Sequence, residues 1–107
     1  MNKGGGKPAI SVVVPVYNEA GNIHALDTEI KQALEALSQS YEIIYINDGS
    51  TDGSMAELRT LSGAKIIDMN RNYGQATALD AGFKAAEGEI IVSMDGDGQN
   101  DPADIPS

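Results

Sequence analysis

Tyr41-Glu42-Ile43-Ile44-Tyr45-Ile46-Asn47-Asp48-Gly49-Ser50 passes from an apolar run straight into a polar turn containing glycine. The run from Tyr41 to Ile46 is nearly continuous in hydrophobicity, as a strand buried on both faces of a parallel sheet requires; a half-exposed strand would alternate. Three other stretches have the same form. Ile10 to Val16 leads into Pro15-Val16-Tyr17-Asn18-Glu19, Ala64 to Met69 into Asn70-Arg71-Asn72-Tyr73-Gly74, and Glu89 to Met94 into Asp95-Gly96-Asp97-Gly98-Gln99. Between the runs lie helical patterns. Ile23, Leu26, Ile30, Leu34 and Leu37 recur at steps of three or four, leaving Glu29, Lys31 and Glu35 for solvent. Ser54 to Leu61 follows Asp52, a capping residue type, and a third helix carries the stripe Ala76, Leu79, Phe83 and Ala86 and stops at Gly88. Four strands alternating with three helices predict a Rossmann-like α/β fold, a parallel sheet with flanking helices built from right-handed crossovers.

That architecture gives the polar clusters a common address. Ligands of an open parallel sheet bind outside the carboxyl ends of its strands, so four clusters at those ends converge on one crevice. With strand order 3-2-1-4 the first and last clusters are neighbours, and Tyr17 and Glu19 lie beside Asp95 and Asp97. Any single cluster is explained by the preference of turns for Asp, Asn and Gly. Four together point to a site.

Composition narrows the ligand. Sixteen acidic residues against seven basic ones give a net charge of −9, which disfavours DNA and RNA because a phosphate backbone needs clustered Lys and Arg. Cysteine is absent, so no disulfide or thiolate metal site is possible. Residues 1–8, with Gly4-Gly5-Gly6, read as a flexible leader without the apolar stretch of a signal peptide, and residues 9–107 as one domain. A cytoplasmic location is the default expectation.

Asp95-Gly96-Asp97 offers two carboxylates from one tight loop, hard oxygen donors suited to Mg²⁺ or Mn²⁺ on a diphosphate. An isolated Asp-x-Asp is equally well a turn; its place directly after a buried strand favours the cation. Gln99 can add a neutral oxygen. Asp48, acceptor-only when ionised, can take a hydrogen bond from an N–H on a nucleobase edge, or serve only the turn. Tyr17 offers an aromatic face, although core packing explains such a residue taken alone, and Glu19 can accept from ribose hydroxyls. Arg71 can reach a phosphate or pair with Asp68 at the surface. His24 sits on a helix with structural neighbours and is read as solvent-facing. The segment from Asp48 to Gly53 imitates the start of an EF-hand loop, but Arg59 stands where a bidentate Glu is needed. No Gly-x-x-x-x-Gly-Lys run exists. A receiver-like signalling domain would put acidic residues where Tyr17-Asn18-Glu19 and Asn70-Arg71 stand.

With these residues in place, the chain resembles the family 2 glycosyltransferases of the GT-A fold. Val14-Pro15-Val16-Tyr17-Asn18-Glu19 is similar to that family's opening strand and loop, and Asn47-Asp48-Gly49-Ser50-Thr51-Asp52-Gly53 to its second. Arg71-Asn72-Tyr73-Gly74, Ala78-Leu79 ahead of Gly82, and Asp95-Gly96-Asp97-Gly98-Gln99 resemble the branch of dolichol-phosphate mannose synthase and bacterial polyprenyl-phosphate sugar transferases. The resemblance implies that Asp48 meets the base, that Pro15, Tyr17 and Glu19 meet the nucleoside, and that Asp95, Asp97 and Gln99 hold the metal and diphosphate. Asn47 stands where many relatives carry a second Asp, and Asp101 where a proline is common.

It further implies an inverting transfer from a UDP- or GDP-linked sugar to a lipid phosphate at the cytoplasmic face of a membrane. Family catalytic domains continue for roughly another such domain's length. The chain therefore reads as the N-terminal, donor-binding half of a GT-A fold. The catalytic base is expected outside it, and its open sheet edge makes a homodimer possible. The alternative is a nucleotide-binding module or remnant without turnover.

Overall fold

The computed structural model describes residues 7–94. In chain order the elements are β1 (Ile10–Val16), α1 (Ile23–Glu35), β2 (Tyr41–Asp48), α2 (Ser54–Arg59), β3 (Lys65–Met69), α3 (Gln75–Ala85) and β4 (Ile90–Ser93). All pairings are parallel, as the sequence predicts, and the sheet order is β3-β2-β1-β4, which makes β1 and β2 the central strands. The order reverses between β1 and β4, on either side of which the chain winds in opposite directions, so a crevice opens at the carboxyl ends of the strands there.

Successive side chains on a strand point to opposite faces, and the two central strands use this to build two cores. Ile10, Val12, Val14 and Val16 of β1, with Ile43 and Tyr45 of β2, pack against Ile23, Leu26, Ile30 and Leu34 of α1 and Leu58 of α2. Val13, Ile44 and Ile46 point the other way, toward Ala78 of α3. Helices on both faces explain why these runs lack alternation. The one polar group within the first core is satisfied: the Tyr45 hydroxyl, fully buried, donates to Asp27 Oδ1 at 2.6 Å, and Lys31 Nζ lies 2.8 Å from Asp27 Oδ2. Burial, reinforced by the Asp27 carboxylate, pushes the Tyr45 phenol well above its ordinary value.

The third helix corrects the sequence reading. Its fully buried residues are Ala78 and Gly82; of the expected stripe, Leu79 and Ala86 are half-buried against the same core, whereas Ala76 is exposed and Phe83 keeps 43% of its surface in solvent. The cause is close approach. A Cβ on Gly82 would lie 2.2 Å from Val13 Cγ1 and 2.7 Å from Ile46 Cδ1, so the helix backbone rests directly on the sheet along its small residues and Phe83 is turned to the rim. Gly88, read as the helix terminator, serves another purpose. The helix ends at Ala85, and Gly88 passes over β1, where an added Cβ would sit 2.7 Å from Ser11 N. Its N–H donates to Ser11 Oγ at 2.8 Å, and the Ser11 hydroxyl donates to Glu42 at 2.6 Å.

Gly82→Ala should therefore destabilise the chain despite the better helix propensity of alanine. Overpacking costs about 1–3 kcal/mol, against about 1 kcal/mol gained from propensity. Urea denaturation reads the balance: a lowered midpoint is expected, and a raised one would mean that α3 can lift off the sheet without loss.

Candidate functional site

The loop after β2 organises its two neighbours. Toward β1, side chains of residues 50–57 accept from the backbone of the loop that follows Tyr17. Asn18 N donates to Ser50 Oγ at 3.0 Å, Glu19 N to Ser54 Oγ at 2.8 Å, and Ala20 N to Asp52 at 3.2 Å. Glu57 completes the set, taking Gly21 N at 2.7 Å and His24 N at 2.9 Å. Helix α1 has no side-chain cap of its own, so a carboxylate from α2 satisfies its free N-terminal donors and lies at the positive end of its dipole. Asn18, at φ 53°, returns a bond by accepting from Thr51 N at 2.8 Å.

Toward β3 the connection runs through Asp48. Its Oδ1 accepts Tyr73 N at 2.8 Å, and its Oδ2 accepts Gly74 N at 3.0 Å and Asn72 Nδ2 at 3.2 Å. The residue is 3% exposed, so three donors of the 72–74 segment compensate for the desolvation of this carboxylate. The carboxylate expected to meet a nucleobase is thus bonded to the chain's own third loop. Gly49 permits the approach. At φ +72° its α-hydrogen faces that loop, and a Cβ would fall 2.3 Å from Arg71 C and Asn72 N.

Between the three loops lies a cleft of about 580 Å³, lined by residues that include Tyr17, Asn47, Met55, Asp68, Met69 and Arg71. Tyr17 leaves 47% of its surface to solvent. Asn47 is buried, donates from Nδ2 to Asp68 Oδ1 at 3.1 Å, and accepts Ser50 N at 3.3 Å. Arg71 stacks over the Tyr73 ring, 5.0 Å from its centroid. Of its two expected partners, Asp68 is taken up by Asn47, and the guanidinium remains at the cleft lining.

The other expected residues fall as follows. Pro15 is buried in β1, opposite Ile46 of β2, and among the described residues lies beyond the last pairing with β4 at Val13, so its missing N–H interrupts no β1–β4 bond there. Glu19 is half-buried, within 3.3 Å of Asn22 Nδ2. His24 is exposed, as expected, and shares a 2.7 Å hydrogen bond with Thr60 Oγ1. Asp95, Asp97 and Gln99 lie outside the described residues, as do Asp101 and Asp104. Among the described residues no group of three His, Cys, Asp or Glu side chains could hold a metal ion. Sequence reasoning named Asp68 only as a surface partner of Arg71, and missed its place in the cleft, Glu57 and the loop-tying function of Asp48. Glu57 was legible only as a polar helix residue.

A family model described as glycosyl transferase family 2 matches residues 11–107. The chain belongs to that family. It is 45% identical over 102 residues to an undecaprenyl-phosphate 4-deoxy-4-formamido-L-arabinose transferase of Aeromonas hydrophila subsp. hydrophila, a match covering 91% of this chain and 31% of the relative. It is 39% identical over 103 residues to a dodecaprenyl-phosphate galacturonate synthase of Rhizobium johnstonii, covering 92% of this chain and 30% of that protein. The chain thus spans about a third of the length of these curated relatives. Among solved structures, the mannosyltransferase PcManGT from Pyrobaculum calidifontis, in complex with GDP-Man and Mn2+, superposes with a TM-score of 0.70 at 27% identity, over 87% of this chain and 28% of that one. S. aureus TarS 1-349 in complex with UDP-GlcNAc gives 0.66 at 28% identity, over 82% and 26%. These likenesses identify the four-stranded sheet and its helices as part of a GT-A glycosyltransferase fold.

The Glu57 bridge carries a pH signature. Hydrogen bonds from Gly21 N and, against the opposing effect of burial, from His24 N hold its carboxyl below the ordinary 4.5. A lowered folded pKa contributes stability that is complete above the unfolded value and is lost as pH falls through the folded one. The gap in urea midpoint between the parent and Glu57→Gln should therefore narrow as pH falls from about 6 to about 3. A constant gap would show that the charge of Glu57 does not hold the loop.

Proposed function

We propose that this chain binds a nucleoside-diphosphate sugar in the cleft at the carboxyl ends of β1, β2 and β3, as the donor-binding part of an inverting glycosyltransferase acting on a polyprenyl phosphate. The observation that carries this reading is the convergence of the three loops on one cleft of about 580 Å³, fixed by backbone N–H hydrogen bonds to Asp48, Ser54 and Glu57. Tyr17 supplies an aromatic face to the nucleoside, Pro15 stiffens the strand end behind it, and Glu19 accepts from ribose hydroxyls. Arg71 supplies a cation for the diphosphate. Asp48 sets the loop that carries Arg71 and, as the resemblance implies, meets the base.

The names of the relatives support a lipid-phosphate acceptor, and the bound GDP-Man, UDP-GlcNAc and Mn2+ of the structural neighbours support a sugar nucleotide with a divalent metal. Mg²⁺ or Mn²⁺ would be held by Asp95, Asp97 and Gln99, whose two carboxylates and amide oxygen form a hard-donor set. When bound, such a cation neutralises charge on a departing diphosphate. Lipid-linked substrates imply work at the cytoplasmic face of a membrane; no helix among the described residues is long and apolar enough to cross one. A phosphate acceptor is largely ionised near neutral pH, its second pKa being about 6, which lightens the demand for a separate base.

Calorimetry with UDP- and GDP-sugars and Mn²⁺ tests the reading. Saturable binding is expected in the parent. Asp97→Asn should lose the metal-dependent part with the fold unchanged; equal Mn²⁺-dependent affinity would refute the metal assignment. Consumption of the sugar nucleotide with polyprenyl phosphate separates an enzyme from a nucleotide-binding module.

The sheet edge adds a proposal on assembly. Among the described residues β4 pairs only with β1, and Ile90 and Ile91 are 49% and 44% exposed. An open apolar edge favours pairing with another chain. Sedimentation equilibrium should show a twofold dimer; a monomer at all concentrations, with no binding of hydrophobic dye, would refute it.

A further inference from the structure

Tyr17, the aromatic face of the cleft, leaves 47% of its surface to solvent, and among the described residues its hydroxyl takes part in no hydrogen bond. The direction of the ring is therefore set from the backbone. The next residue does this. Asn18 holds φ at 53°, in the left-handed region that favours Gly, Asn and Asp and that turns the chain away from β1 directly after Tyr17. That conformation is pinned from both sides. Asn18 N donates to Ser50 Oγ at 3.0 Å, and Asn18 Oδ1 accepts Thr51 N at 2.8 Å and Thr51 Oγ1 at 3.4 Å. Ser50 is anchored in turn, its N–H donating to the buried Asn47 at 3.3 Å. Asn18 itself is exposed and does not line the cleft, so it reaches a ligand only through the residues it holds.

We infer that Asn18 is a positioning residue for nucleotide binding, which holds the Tyr17 ring at the cleft where the ring meets the nucleoside. Asparagine meets two requirements at once. Its backbone tolerates the left-handed turn, and its side-chain oxygen accepts two donors of the 50–51 turn, which neither glycine nor alanine could do. Glycine would keep the conformation but lose the anchor, and its wider backbone freedom would let Tyr17 leave the cleft. An aromatic face ordered before the ligand arrives binds more tightly than one that must be ordered by it.

The inference rests on the nucleotide-binding reading, and its test keeps the two apart. UDP and GDP are titrated at one fixed Mn²⁺ concentration, and the tighter binder is carried through a double-mutant cycle. Asn18→Gly should weaken binding about fivefold or more, within the range of couplings between residues that act through one another. In a Tyr17→Leu background the same substitution should change affinity by less than about twofold, because the ring it positions is gone. In an Arg71→Ala background the full loss should return. The loop lies outside both apolar cores, so Asn18→Gly should keep the circular dichroism spectrum of the parent. A structural loosening of the whole cleft would weaken binding equally in all three backgrounds and would overturn the assignment of Asn18 alone, as would parental affinity in Asn18→Gly. A parent that binds neither nucleotide overturns the nucleotide-binding reading and this inference with it.

Discussion

The Asp48 carboxylate, accepting from Tyr73 N, Gly74 N and Asn72 Nδ2, is the interaction on which the cleft depends. It is buried and has no cationic partner within salt-bridge distance among the described residues, so its charge is stabilised by polar N–H donors alone. Hydrogen bonds to a charged group contribute about 1.5–3 kcal/mol each, and leaving a buried carboxylate unmet costs more. The third loop must therefore close onto β2. Closure carries Arg71 to the lining of the cleft and brings its backbone so near Gly49 that no side chain fits there. The same turn reaches in the opposite direction through Ser50, Asp52, Ser54 and Glu57 to fix the loop behind Tyr17. One strand end thus sets the geometry of three.

The sheet makes this possible by bringing those strand ends together. Val13 and Ile46 accept α3 at backbone contact through Gly82, while the opposite faces of the same strands pack on α1 and α2. Both central strands are clamped. At the other end of the sheet, Lys65 meets Glu42 at 2.6 Å and Glu87 N donates to Glu42 at 2.7 Å, tying β2, β3 and the approach to β4 away from the cleft. Polar bonding is thus concentrated at the two strand-end layers, with apolar packing between.

The fold was legible because its signals are local and repeated. Apolar runs marked the strands, and the steps of Ile23, Leu26, Ile30 and Leu34 marked the buried face of α1. The strand order 3-2-1-4, taken from the sequence only as the condition that brings the first and last clusters together, is the one the sheet has. Helix α3 was misread because periodicity weights bulky residues, whereas close packing selected Ala78 and Gly82. The site was half legible. Polar turns after buried strands located the cleft, but residue type does not say whether a carboxylate faces a ligand or the chain's own backbone. Asp48, Asp52 and Glu57 all face backbone donors of neighbouring loops more than twenty residues away in sequence. Asp68, the acidic residue that lines the cleft among the described residues, carried no motif signal at all.

Amide hydrogen exchange in Asp48→Ala tests the central claim most directly. If the carboxylate holds the third loop, the Tyr73 and Gly74 amides are protected in the parent and exchange far faster in the variant, while the central amides of β1 and β2 stay protected. Unchanged protection at Tyr73 and Gly74 would contradict the account, because it would mean that the loop closes on β2 without Asp48.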